Sequence, residues 1–231
     1  MSDTGKLILV PTPVGNLGDI TLRAIEVLKN ADIILAEDTR VSAKLLKHLV
    51  IEKKLIAHHQ FNEHQQINQI TAKIREGNTV ALISDAGTPA ISDPGFLLVR
   101  ACIGQNIDVE CLPGPTALIP ALAVSGLASD RFVFEGFLPR KKGRKKRMSE
   151  LSEESRTMIF YESPFRLVKT LSELHEFLGG DRLICVCREI SKIFEEIKRG
   201  SLSEVAEYYI QNPPKGEIVV VIEGKKKKHN H

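Results

Sequence analysis

SDAGTPAISDPG, residues 84–95, follows the apolar run Thr79–Ile83 and leads into a helix-period segment, Gly95–Gly104. Glycine supplies backbone freedom there, proline fixes φ, and the start of a helix leaves main-chain N–H groups free to hold an anion. Two other stretches repeat the arrangement. PTPVGNLGD (11–19) follows the run Leu7–Val10, and PGPTA (113–117) follows Asp108–Leu112. Three such loops on one strand edge would build one composite cleft, although each taken singly is more often an ordinary turn.

Working outward, short apolar runs alternate with helix-period segments through the first half. Strands are expected at Leu7–Val10, Asp32–Ala36, Leu55–Ala57, Thr79–Ile83 and Asp108–Leu112. Helices are expected at Thr21–Lys29, Arg40–Leu49, Glu63–Glu76, Gly95–Gly104 and Thr116–Ser125. The alternation implies βαβ units and a mainly parallel sheet, with ligands at the carboxyl ends of the strands.

GLASDR (126–131) breaks the pattern, so the expected division is an N-terminal α/β domain over 1–126, a C-terminal mixed α/β domain over 127–224, and a basic, disordered tail over 225–231. In the second half, RFVFEGF, TMIFYE, RLICVCRE, a run at Ile193–Lys198 and EIVVVIEG read as strands. Helices are expected after the basic segment, from about Pro164 to Leu178, and near Ser203–Gln211. Consecutive strands without an intervening helix suggest antiparallel pairing. The fold class is therefore α/β with two α/β domains.

Several chemistries are poorly supported. VGNLGD carries only Gly15 and Gly18, which is not the three-glycine dinucleotide fingerprint, and no phosphate loop ending in Gly-Lys-Ser/Thr occurs. Asp85 and Asp93 read as a magnesium pair or as turn caps, and capping is the commoner use of Asp. Cys185 and Cys187 alternate within an apolar run and read as buried free thiols on one strand face; the four cysteines form no CxxC pair, so no metal is expected. No apolar stretch approaches the roughly 20 residues that span a bilayer, and Met1 to Lys6 leads straight into LILV, so a cytoplasmic protein without a membrane partner is expected.

The net charge of +3 conceals an uneven distribution. RKKGRKKR (140–147) holds seven of the 32 basic residues and Lys225–Lys228 holds four more, which leaves 21 against 29 acidic residues elsewhere. An acidic body with two basic segments points to a localised polyanion contact. With aromatics at 5% and no Trp, a stacking platform for many successive bases is not expected.

The motifs VPTPVGNLGDIT, AEDTR (36–40), HQFNE (59–63), SDAGTPAISDPG, PGPTALIPAL, FEGFLPRK (134–141), FYESPFR (160–166), CREISK (187–192) and KGEIVVVIEG (215–224) run in order over nearly the whole chain. In them the chain resembles the tetrapyrrole methylase-like superfamily and, within it, the bacterial 2′-O-methyltransferases of a cytidine in 16S ribosomal RNA. Phe61 and His58 depart from that pattern, in which a second His is common. The resemblance implies a cleft between the two domains that binds S-adenosyl-L-methionine, a homodimer, and the small ribosomal subunit as partner. It places the cofactor against Ser84, Asp85, Ala86, Thr88, Pro113, Gly114, Thr116 and Ala117, with Asp85 on the α-ammonium. Main chain near Tyr161, Glu162, Glu217 and Ile218 would take the adenine and ribose.

Asn16, Glu37, Asp38, Arg40, His59 and Glu63 are the candidates for accepting or orienting the hydroxyl proton, and no single general base is singled out. Asp38 reads equally as a helix cap, Arg40 as its ion-pair partner, and His59 as a solvated loop residue. A mobile basic loop formed by Lys141, Lys142, Arg144, Lys145, Lys146 and Arg147, with Arg166 and Arg188, is expected to clamp RNA phosphates, against the alternative of a merely solvated charge run. Rival functions are a methylase of a small macrocycle or protein side chain, and a non-catalytic RNA-binding assembly factor.

Overall fold

The computed structural model describes residues 5–226, which divide into two compact units between Thr116 and Ala117. In the first, β1 (Lys6–Leu9), β2 (Ile33–Ala36), β3 (Leu55–Ala57), β4 (Val80–Ile83) and β5 (Asp108–Cys111) form a wholly parallel sheet in the order β3-β2-β4-β1-β5. The helices α1 (Leu22–Asn30), α2 (Thr39–His48), α3 (Glu63–Arg75) and α4 (Phe96–Gly104) connect them. Alternation along β1 sends Ile8 and Val10 to a core with Ala24, Leu28 and Leu46. Leu7 and Leu9 go to the opposite core with Ile70, Ile74 and Leu98. Helices therefore cover both faces, as parallel sheets require. Thr21 caps α1 by accepting the Ala24 N–H at 3.0 Å.

The second unit begins with α5 (Leu118–Ser125). Its strands are β6 (Phe132–Phe137), β7 (Thr157–Glu162), β8 (Leu183–Arg188), β9 (Glu196–Ser201) and β10 (Ile218–Ile222), in the order β6-β7-β10-β8-β9. β6 and β7 are parallel and the other neighbours antiparallel, which gives the expected mixed sheet. α6 (Arg144–Glu153), α7 (Pro164–Leu178) and α8 (Leu202–Gln211) cover one face. α5 covers the other, with Ala121 and Leu122 against Ile159, Cys185, Cys187 and Val221.

Three expectations shift. The division falls one helix before 126–127, because α5 packs on the second sheet. The strand expected at Ile193–Lys198 is β9, displaced toward the C-terminus: Ile193 and Phe194 are exposed in the preceding loop, and the polar EIKRGS pairs with β8 as an edge strand. In the tail, Lys225 is held by Glu153 at 2.6 Å and Lys226 lies 3.4 Å from Glu223; the remainder lies outside the described residues.

Candidate functional site

The three glycine- and proline-rich loops meet in the first unit, because β1 lies between β4 and β5. Thr12 and Gly87 exchange main-chain hydrogen bonds at 2.9 Å, joining the loops after β1 and β4. The buried Thr12 hydroxyl donates to the Ser84 carbonyl at 3.0 Å. Thr88 donates its hydroxyl to the Pro115 carbonyl at 3.1 Å, joining the loops after β4 and β5. A Cβ on Gly114 would stand 2.7 Å from the Pro11 ring, so this approach requires glycine. The loop 84–95 also holds Gly87, Ala90, Ser92 and Gly95 at positive φ. Such positions cost roughly 1–3 kcal/mol each for a residue with a side chain and cluster where function demands them.

Carboxylates gather at the same strand edge. Asp85 accepts the Asp38 N–H at 3.1 Å, linking the ends of β4 and β2. Burial raises the Asp85 pKa, and Glu37 is raised first by burial and then by the Asp85 charge. Asp93 is pushed up to about 7, chiefly by burial and then by Glu37, with a hydrogen bond from Ser84 opposing the shift. Asp93 is absent from the expected site; its signal was the SDPG turn (92–95), which reads as a cap. Among the described residues no three His, Cys, Asp or Glu side chains gather so as to hold a metal ion.

The other expected acceptor-side residues divide by role. Asp38 caps α2 and pairs with Arg40 through two hydrogen bonds, at 3.0 and 2.6 Å. The Arg40 hydrogen bonds hold its carboxyl well below the usual range. Asn16 accepts the Gly18 N–H at 3.0 Å in an exposed turn. His59 stands edge-on to Phe61, with ring centroids 6.0 Å apart. Glu63 is buried, and its carboxylate accepts the Gly95 and Leu97 N–H groups at 3.0 and 3.1 Å. It therefore caps α4. His58, fully buried, has its pKa lowered by desolvation and lies 3.9 Å from Glu63.

In the second unit, Tyr161, Glu162 and Ile218 come together across the β7–β10 ladder, where Ile218 pairs with Glu162 and also with Arg188 on β8. Glu217 is different: its N–H donates to the Glu189 carboxylate at 2.8 Å and its carbonyl accepts the Glu189 N–H at 2.9 Å. Its main chain is thus committed within the protein.

The basic run is not one mobile loop. Gly143, at φ 81°, precedes α6, so the run's second half is helical. Arg144 is buried and bonded to Glu173, Pro139 and Thr170, and Arg147 pairs with Glu135 and Glu150. Arg166 is paired with Glu162, and Arg188 lies 3.6 Å from Glu196. These four are held internally. Lys141, Lys142, Lys145 and Lys146 remain exposed, with Lys146 at 4.0 Å from Glu150. If they contact phosphates, changing all four to Ala should make the slope of log K against log salt shallower by up to about 3 for single-stranded RNA. Binding should weaken alike for cognate and unrelated RNA; an unchanged slope in a salt series assigns the lysines to solvated surface.

Comparison with known proteins completes the picture. A model of the family described as Tetrapyrrole (Corrin/Porphyrin) Methylases matches residues 6–206. A Ribosomal RNA small subunit methyltransferase I from Synechocystis is 51% identical over 221 residues, covering 95% of this chain and 79% of that protein. One from Thermotoga maritima is 46% identical, covering 96% and 99%. Uroporphyrin-III C-methyltransferase from Thermus thermophilus, complexed with S-adenyl homocysteine, shares the fold with a TM-score of 0.64 at 21% identity, covering 95% of this chain and 97% of that one. By its motifs, its two sheets and these matches, the chain belongs to the tetrapyrrole (corrin/porphyrin) methylase family and, within it, to the Ribosomal RNA small subunit methyltransferase I group.

Proposed function

We propose that this chain is an S-adenosyl-L-methionine-dependent methyltransferase that 2′-O-methylates the ribose of a cytidine in 16S ribosomal RNA. The observation that carries the reading is the joining of three loops, through Thr12–Gly87 and Thr88–Pro115, at the edge where Glu37, Asp38, Asp85 and Asp93 gather. Carboxylates and fixed main-chain dipoles suit a ligand bearing a sulfonium and an α-ammonium. Gly87 sits at φ 82°, a backbone conformation strained for any residue with a side chain, so the loop floor stays bare backbone there. The names of the curated relatives support the RNA, and the ligand of the fold neighbour supports the cofactor. No feature of the site favours a macrocycle substrate or a non-catalytic factor.

When bound, the cofactor supplies a methyl carbon already activated by positive sulfur. The protein's own task is positioning and proton removal. Asp85 takes the α-ammonium by a charge-assisted bond. Asp93 stands beside Glu37 and accepts a hydrogen bond from Ser84 at the same strand edge, and we assign it the proton of the ribose 2′-hydroxyl; burial pushes its carboxyl up to about 7, which suits a base at neutral pH. Arg40, whose side chain is 87% exposed, orients the acceptor with His59 and Asn16. In the second unit, Tyr161, Glu162 and Ile218 keep the adenine and ribose role.

A homodimer and a cytoplasmic location complete the proposal. Exposed Phe61, Phe96 and Ile193 support a second copy, and among the described residues no helix is long and apolar enough to cross a membrane. Asp85→Ala is expected to weaken cofactor binding by about 1.5–3 kcal/mol, the scale of a hydrogen bond to a charged group; equal calorimetric affinities would remove Asp85 from the site. The function itself is tested by tritium-methyl transfer to naked 16S RNA, small subunits and whole ribosomes, with mapping of the methylated nucleotide. Transfer to a base, or none to any of the three, would overturn it.

A further inference from the structure

A chain of hydrogen bonds runs inside the second unit from the basic turn to the carboxyl end of β7. Arg144 Nη1 donates to the Pro139 carbonyl at 2.8 Å, Nε donates to Glu173 at 2.6 Å, and Nη2 donates to the Thr170 hydroxyl at 2.8 Å. Thr170 in turn donates to Glu162 Oε2 at 2.7 Å. Glu162 Oε1 accepts the Ser163 N–H at 2.7 Å and lies 2.5 Å from Arg166 Nη2. Arg166 Nη1 reaches back to the Leu138 carbonyl at 3.5 Å. The circuit closes on Leu138–Pro139, the main chain that leads directly into Lys141 and Lys142. Thr170 is fully buried, Glu162 is 2% exposed and Arg144 8%.

A guanidinium that binds phosphate must present its fork to solvent, and Arg144 has spent its fork inside the protein. We infer that Arg144 and Arg166 are positioning residues for RNA, fixing the turn before α6 so that Lys141, Lys142 and Lys145 stand as a preset array. Through Thr170 and Glu162, the same circuit ties that array to the strand end proposed for the adenosyl group, so RNA and cofactor strengthen one another's binding. This rests on the proposed function. A preset array loses less side-chain freedom on binding than a mobile one. Coupling between two sites is reciprocal, so it is readable from either ligand.

The experiment titrates a single-stranded fragment of 16S RNA over a salt series, with and without saturating S-adenosylhomocysteine, which permits no turnover. The native protein is expected to bind RNA at least threefold more tightly with cofactor present. Thr170→Val removes one hydroxyl and no charge. It should lower RNA affinity at least threefold and abolish the cofactor effect, whereas Thr170→Ser keeps both. Arg144→Gln should weaken RNA binding with an unchanged salt slope; a slope shallower by about 0.7 makes Arg144 a phosphate contact and overturns the positioning role. If Thr170→Val does not fold by circular dichroism, Arg144→Gln carries the test alone. Native-like behaviour of either folded variant, or no cofactor effect in the native protein, refutes the inference while leaving the methyltransferase reading intact. Failure of the native protein to bind cofactor or RNA removes that reading first.

Discussion

Replacing Asp93 by Asn is expected to slow methyl transfer at least about a hundredfold at pH 8, the lower end of what a positioned base contributes. The native rate should rise with pH through an inflection near 7 and then level off, because the carboxyl titrates at about 7. The residual rate of the variant should lack that inflection. Stability should move the other way. In the unfolded chain this carboxyl ionises near 3.8, whereas in the native protein it holds its proton up to about 7. Between those values the native state binds a proton that the unfolded state has lost. The contribution is therefore complete below pH 3.8 and fades as pH rises through 7. Asp93→Asn should be more stable than the native protein at pH 8, by about 1–2 kcal/mol once partial exposure is discounted, and no more stable at pH 4. Melting curves at the two pH values, beside a rate–pH profile, decide it. A variant that keeps half the native rate shifts the base to Glu37 or His59.

Glu63→Ala is expected to lower stability by about 2–4 kcal/mol, because one buried and one half-buried N–H group at the start of α4 lose a charged acceptor. For a chain of this size the melting temperature should drop on the order of 10 °C. Glu63→Gln retains an acceptor and should recover about half of the loss, with kcat within roughly threefold of native. Cofactor affinity of the folded fraction should be unchanged in both. A tenfold fall in kcat for Glu63→Gln, with native melting behaviour, would instead place the carboxylate at the acceptor.

The strands and the three loops were legible because each rests on local chemistry. An apolar run such as Val80–Ile83 is buried at every position, as the interior of a parallel sheet demands. The loops announced themselves through glycine and proline. The fate of α5 was not legible: LIPALAVS is apolar on all sides and names no partner, while GLASDR after it looks like a linker. β9 was displaced because an edge strand tolerates polar residues such as Lys198 and Arg199, whereas the apolar Ile193 and Phe194 fall in a loop. The site residues that changed role did so through distant partners. Glu63 meets an α4 that begins at Phe96, and Arg144 meets Thr170 and Glu173 on α7. No spacing in sequence encodes such meetings. Asp93 was passed over for a related reason, since its raised pKa comes from burial and from Glu37, which lies just past the end of β2.

The burial of Arg144 and the pairing of Arg147 with Glu135 and Glu150 have a kinetic meaning. What remains for RNA around the turn is chiefly four lysines, compact and strongly hydrated, on a body whose other charges are mainly negative. A polyanion drifting past is repelled over much of the surface and drawn in where the basic residues cluster, so encounters arrive already oriented. An RNA that offers only phosphates meets few contacts there and departs quickly, which leaves the enzyme free to sample many wrong strands in the time it spends on the right one.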